Sequence, residues 1–126
     1  MKKVSLSDGE WKIINLLWDK APRSIRQITD DLAAVTGWDK HTVIVMLKRM
    51  EEKGVVSYET DGRAKQYFPV ADRRQITQEA TKGFLDKVYK GSLSRMLTAM
   101  VEQDSLSGEE IAQLQQILKD AGGNQS

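Results

Sequence analysis

The side chains able to do chemistry are few and unevenly placed. The chain holds one histidine, His41, and no cysteine. A lone imidazole without a second nitrogen or sulfur ligand excludes a His- or Cys-built metal site, and disulfides and thiolate nucleophiles are excluded too. Adjacent carboxylates occur at Asp30-Asp31, Glu51-Glu52 and Glu109-Glu110. Each pair falls on an expected helix surface or cap, where solvent or the helix dipole accounts for it. No serine-centred nucleophile motif and no glycine-rich phosphate loop is present. No catalytic residue, metal or cofactor is expected, and the chain does not read as an enzyme. What remains is a set of donors. Lys40, His41 and Thr42 stand together, Lys48 and Arg49 follow, and Arg63 and Lys65 flank a glycine turn. Such side chains serve phosphate oxygens and base edges.

The whole-chain charge neither supports nor opposes a nucleic-acid partner. The formal net charge is +1 over 126 residues. Residues 1–71 hold 12 basic and 10 acidic side chains, a net of +2, and residues 72–126 hold 7 and 8, a net of −1. Placement must therefore decide. At 40% hydrophobic and 29% charged residues the composition is that of an ordinary globular domain, or of one small domain with an appendage. The apolar runs are too short to span a membrane, so no membrane insertion is expected. The opening Met1-Lys2-Lys3-Val4-Ser5 lacks the apolar core of a signal peptide. The expectation is a cytoplasmic protein.

Helices are written into the first fifty residues by their caps. Ser7-Asp8-Gly9-Glu10 and Ser24-Ile25-Arg26-Gln27 are both capping boxes, in which the hydroxyl and the longer side chain satisfy orphan amides reciprocally. Trp11, Ile14, Leu17 and Trp18 form the apolar stripe of the first helix, with Leu6 and Trp11 placed as a hydrophobic staple and Ala21-Pro22 as the stop. Ile25, Ile28, Leu32 and Val35 mark the face of the second, which Gly37 ends. The third runs from near Asp39 to Gly54, with Val43, Met46, Leu47 and Met50 facing inward. Two β-rich segments follow, Val55–Thr60 and Lys65–Val70, around Asp61-Gly62-Arg63-Ala64, a hairpin signal. Pro69 belongs at a strand end. A long helix over 72–90, another over 92–103 and a third opened by Ser107-Gly108-Glu109-Glu110 complete the chain. The tail from Gly122 to Ser126 should fray.

The fold class is mainly α with a small β-hairpin. Residues 1–71 are expected to form a winged helix-turn-helix, and residues 72–126 three further helices with the frayed tail. In helix-turn-helix proteins the recognition helix enters the major groove. At 100° per residue, His41, Val45, Lys48 and Glu52 point outward on the third helix, Ile44 and Arg49 flank them, and Thr42 lies near the edge. An apolar Val45 on an outer face either packs on thymine methyl groups, with Ile44 beside it, or touches another part of the protein. Arg63 and Lys65 either meet the DNA backbone or minor groove or belong to a solvated turn. Ser24 caps a helix whose amides could hold a phosphate. The last three helices carry amphipathic stripes that need a partner surface: Phe84, Val88, Leu93, Met96, Leu97, Met100, Ile111, Leu114 and Ile117. The reading from residues alone is a DNA binder; the alternative is a winged-helix protein–protein interaction module with no DNA partner.

The run Leu6-Ser7-Asp8-Gly9-Glu10-Trp11 with Leu17-Trp18 resembles the MecI/BlaI penicillinase-repressor family. So do Thr42-Val43 with Leu47-Lys48-Arg49-Met50, Glu52-Lys53-Gly54, Gly62-Arg63 with Tyr67-Phe68-Pro69, Phe84–Gly91, and Leu106–Ile111. The resemblance spans about residues 5–120. It implies a bacterial repressor that binds a palindromic double-stranded operator as a homodimer, its C-terminal helices interleaved with the partner's. It also implies control of β-lactam-response genes, a membrane sensor protease system, and inactivation by a cut in the dimerisation region. The equivalent bond here is Ala99-Met100, where the best-known members have an Asn-Phe type bond. Ile44 and Val45 stand where the family is usually polar or basic, which implies a different operator. The copper-responsive relatives use a Cys-rich C-terminus, which this chain lacks.

Overall fold

The computed structural model describes residues 4–123. Its elements run α1 (Asp8–Lys20), α2 (Ile25–Thr36), α3 (Lys40–Glu52), β1 (Val56–Asp61), β2 (Ala64–Pro69), α4 (Arg73–Tyr89), α5 (Leu93–Glu102) and α6 (Gly108–Gly123). This is the mainly α architecture expected, three helices and a wing followed by three helices. The end of the chain differs from expectation. Helix α6 takes in Gly122 and Gly123, and the rest of the anticipated frayed tail lies outside the described residues. No described helix is long and apolar enough to cross a membrane.

Local chemistry explains the boundaries. Ser7 Oγ accepts the Glu10 amide at 3.2 Å and Glu10 Oε1 accepts the Ser7 amide at 2.8 Å. Ser24 and Gln27 repeat the arrangement at 3.1 and 2.9 Å. Asp39 caps α3 by accepting the Thr42 amide at 2.8 Å. Ser107-Gly108-Glu109-Glu110 has the pattern of a further capping box, and at the start of α6 half of it forms among the described residues: Ser107 Oγ accepts the Glu110 amide at 3.0 Å, without a return bond from the glutamate. Gly37 ends α2 in the left-handed conformation, φ +67°.

The hairpin register pairs Val56 with Pro69 at one end and Asp61 with Ala64 at the other. The turn is therefore Gly62-Arg63, the two central residues of the Asp61–Ala64 segment. Gly62, at φ +63°, supplies the positive φ that a two-residue hairpin needs at its first central position. A contact invisible to local patterning extends this sheet. Arg23, between α1 and α2, exchanges two backbone bonds with Tyr67, at 3.0 and 2.8 Å. It fastens the wing to the start of α2.

The chain divides into two compact units, with the division between Thr81 and Lys82 inside α4. The first unit thus continues past residue 71. The physical reason is Ile76, which is buried with the core of the first unit. That core gathers Ile13, Ile14, Leu17, Ile28, Val43, Leu47, Met50, Val55, Val56 and Tyr67. Three sequence expectations need correction. The buried face of α1 is Glu10, Ile13, Ile14 and Leu17, and the Trp11 and Trp18 rings flank it half-buried, edge to face at 6.3 Å. Val35 is 73% exposed, because the last turn of α2 runs past the core. Val45 is half-buried, and the neighbouring Ile44, 39% exposed, is the more open apolar side chain of α3. In the second unit none of the described residues is buried. Its helices α5 and α6 line an apolar groove of about 400 Å³ with Leu93, Met96, Leu97, Met100, Leu106 and Leu114 among its walls.

Glu10 is the charged member of the first unit's core, 2% exposed. Its Oε1 pairs with the Lys53 ammonium. Burial alone would push this carboxyl up, but donors from Lys53 and Ser7 outweigh it and hold the pKa below the ordinary carboxylate range.

Two outcomes follow for stability. Leu47→Ala should cost about 2–5 kcal/mol in denaturant unfolding, the range for emptying a filled core site. A carboxyl whose folded pKa is depressed gives stability that is full above its unfolded value and is lost as pH falls through the folded one. The unfolding midpoint of the parent should therefore decline on the acid side more steeply than that of Glu10→Gln, which has no carboxyl at this site to protonate. Parallel acid limbs would show that the pair contributes no such linkage.

Candidate nucleic-acid interface

Helix α3 is held from one side and open on the other. Val43, Leu47 and Met50 are fully buried. Their spacing turns His41, Ile44, Lys48 and Arg49 to solvent, all exposed, while Thr42 and Val45 are half-covered. The open face thus mixes two cations, an imidazole and an apolar side chain. The first turn of α3 holds Lys40 and His41 and no acidic residue. A cation there opposes the positive end of the helix dipole, so its placement favours an anion brought from outside. Asp39, at the cap, is held below the ordinary carboxylate range, chiefly because the Thr42 amide donates to it. It stays anionic and keeps the start of α3 fixed.

A second cluster forms beside this face. Ser24, Arg26, Lys40, Arg63 and Lys65 line one open cleft of about 490 Å³. They come from three elements: the N-terminus of α2, the first residue of α3 and the tip of the hairpin. The structure therefore brings together Ser24, Lys40, Arg63 and Lys65, which are far apart in sequence. The capping box leaves the amides of Ile25 and Arg26 without an intrahelical acceptor. The Lys65 ammonium lies 4.3 Å from the centre of the Tyr58 ring, which orders an otherwise mobile side chain. Tyr58 in turn packs on Tyr67, its partner across the hairpin, at 5.4 Å.

Arg26 is the residue that sequence reasoning missed. Its only neighbour of opposite charge among the described ion pairs is Asp30, at 3.9 Å, with the Arg26 side chain 89% exposed. Such a pair is worth little in water and does not occupy the guanidinium. The available signal was position: Arg26 sits in the first helical turn, which Ser24 caps.

The remaining expected residues fall in the second unit. Phe84, Val88, Leu93 and Ile117 are exposed by roughly half, at 52%, 51%, 47% and 61%, and Ile111 by 37%. Met96, Leu97, Met100 and Leu114 are half-buried along the groove. The Ala99-Met100 bond lies within α5, where the Ala99 carbonyl accepts the Gln103 amide at 3.0 Å. No cluster of His, Cys, Asp or Glu among the described residues could hold a metal ion.

If the cleft grips phosphate, Arg26→Ala and Lys40→Ala should each lower the magnitude of the salt slope of DNA binding by about 1. Fluorescence anisotropy across a salt series reads this; slopes equal to the parent's would take both residues off the interface.

The profile of the penicillinase repressor family matches residues 6–120. The chain is 31% identical over 121 residues to the penicillinase repressor of Bacillus licheniformis, covering 95% of this chain and 94% of that protein. It is 29% identical over 117 residues to the methicillin resistance regulatory protein MecI of Staphylococcus aureus, covering 93% and 95%. Among solved structures, the monomeric form of Bacillus licheniformis BlaI in complex with the blaP half-operator is similar with a TM-score of 0.50 and 25% identity, covering 57% of this chain and 88% of that one. An exposed reading face, a cationic cleft beneath the wing and a family match over nearly the whole length agree: the chain belongs to the penicillinase repressor family.

Proposed function

We propose that this protein is a transcriptional repressor that binds a two-fold symmetric operator as a homodimer. The observation that carries the reading is the cleft in which Ser24, Arg26, Lys40, Arg63 and Lys65 converge beside the open face of α3. A phosphate strand seated there would bring α3 into the adjacent major groove and the wing against the backbone. Lys48 and Arg49 then reach phosphates or guanine, and Ile44 and Val45 pack on thymine methyl groups. Repression is by occlusion, with two half-sites filled over a promoter. The protein works by binding rather than by catalysis, and acts in the cytoplasm. That a BlaI structure holds a half-operator supports the mode of binding.

Dimerisation belongs to the second unit. Its exposed apolar side chains lie on α4, α5 and α6, and a second copy would cover them. The named relatives are a penicillinase repressor and a methicillin resistance regulator, which supports β-lactam-response genes as the targets. Release would follow a cut at Ala99-Met100 by a membrane sensor protease system. Because that bond is helical, α5 must open locally before a protease can take it as an extended strand.

Substitutions separate these parts. Lys48→Ala should weaken binding to all duplexes alike, whereas Ile44→Ala or Val45→Ala should lose discrimination at one thymine by about 1 kcal/mol or less. Leu97→Asp should give monomers in analytical ultracentrifugation and weak operator binding, because it places an unpaired charge in an apolar seam. A parent that binds one asymmetric site as a monomer would overturn the dimer. Binding indifferent to salt, or no DNA binding at all, would favour a protein-interaction module instead.

A further inference from the structure

The two complete capping boxes differ in one respect that capping does not explain. Gln27 closes the second box with an amide, at distances within 0.1 Å of those in the first, where Glu10 uses a carboxylate. Gln27 is exposed, whereas Glu10 is 2% exposed. Burying a charge is costly and an amide would cap as well. Glu10 Oε2 is moreover buried with no hydrogen-bond partner among the described residues, so this carboxylate is not even fully satisfied. Its charge must answer to something other than the cap.

The partner is Lys53, which pairs with Glu10 Oε1 and also donates to the Ser5 carbonyl at 2.8 Å. Lys53 caps the C-terminus of α3, just past Glu52, and Gly54, at φ +77°, then swings the chain into the hairpin. The pair therefore sits at the joint between the two elements that carry the interface. One residue earlier, Gly9 makes a second contact with the same helix. A Cβ there would lie 2.8 Å from Met46 Cε and 3.2 Å from the far end of the Trp38 ring. Met46 and Lys53 are seven residues apart, about 10 Å along the helix. Two points that far apart fix both the position and the direction of α3.

We infer that Glu10 is a positioning residue for the DNA-reading helix: by holding Lys53 against the first turn of α1, it sets the angle between α3 and the wing. This rests on the DNA-binding reading above. That angle decides whether Lys48 and Arg49 on α3 and Arg63 and Lys65 on the wing meet one duplex together. Buried ion pairs add little net stability over apolar replacements, and in this protein the pair serves arrangement.

The test compares Glu10→Gln, Lys53→Met and the double variant with the parent, using a duplex that the parent selects from a random library. Glu10→Gln keeps the shape and the box. Removing one partner leaves an unpaired group and should lower stability; the double variant, with no charge at either position, should recover it. A purely structural role predicts that operator affinity recovers in parallel. Positioning predicts that all three variants bind the selected duplex more weakly, on the order of tenfold, and that the double variant stays weak although as stable as the parent. Residual dipolar couplings of the free proteins should show the angle between α3 and the hairpin changed in each variant that folds. A double variant that binds like the parent overturns the inference, as does an unchanged angle. A parent that selects no duplex overturns the DNA reading itself, which the behaviour of the variants does not.

Discussion

Val43, Leu47 and Met50 are closed to solvent, and their positions on α3 settle what every other residue of that helix can do. A helix has one set of faces, and assigning three side chains to the core fixes the rest by rotation. The anchors come from elements with different tasks: Ile13, Ile14 and Leu17 from α1, Ile28 from α2, Val55 and Tyr67 from the hairpin region. Each element that touches α3 on its dry side also presents something on the wet side. The interface is thus a consequence of the core. The Arg23–Tyr67 bridge makes the same point for the wing, since it ties β2 to the residue just before the Ser24 cap.

A net charge of +1 suits this design. Non-specific DNA binding grows with the number of phosphates that cations neutralise. A chain without a broad basic surface gains little from DNA in general and must gain from geometry. In the proposed complex, five cleft residues from three elements, together with Lys48 and Arg49, provide that geometry only if the elements stand at the right angle.

What could be read from the sequence was local. Ser7, Ser24, Asp39, Gly37 and Gly54 announce helix ends through bonds that reach three or four residues, and the structure keeps each of them. The hairpin was equally visible: pairing of Asp61 with Ala64 leaves Gly62, inside the expected segment, to take the positive φ. Hydropathy failed where the answer lay across the fold. A glutamate scores as a surface residue, so the face Glu10, Ile13, Ile14 and Leu17 was hidden, and the tryptophans drew the stripe sideways. Val35 fits the periodicity of α2 but meets no opposing surface. Ile76 joins the first core across the expected boundary because α4 begins on that core. Ser24, Lys40, Arg63 and Lys65 could be named one by one, but not that they share a cleft, nor that Arg26 completes it. Their convergence is tertiary information.

The second unit sets a complementary constraint. Its described residues include none that is buried, yet Phe84, Val88, Leu93, Val101, Ile117 and Leu118 are each exposed by about half or more. Fully burying such side chains is worth about 1.5–3 kcal/mol apiece, and here much of that remains unrealised in the single chain. In the proposed dimer this unused apolar surface is what joins two reading heads. Folding of the second unit and association would then be one process, so its stability depends on protein concentration. The proposed cleavage would draw on the same surface. If α5 takes its burial from a second copy, as the proposed dimer requires, it opens at lower cost than a helix inside a finished core. A cut there would remove Met100 and all that follows it from the seam, while leaving Val43, Leu47 and Met50 in place. The reading heads would remain folded but separate, and two weak half-site contacts would replace one strong paired one.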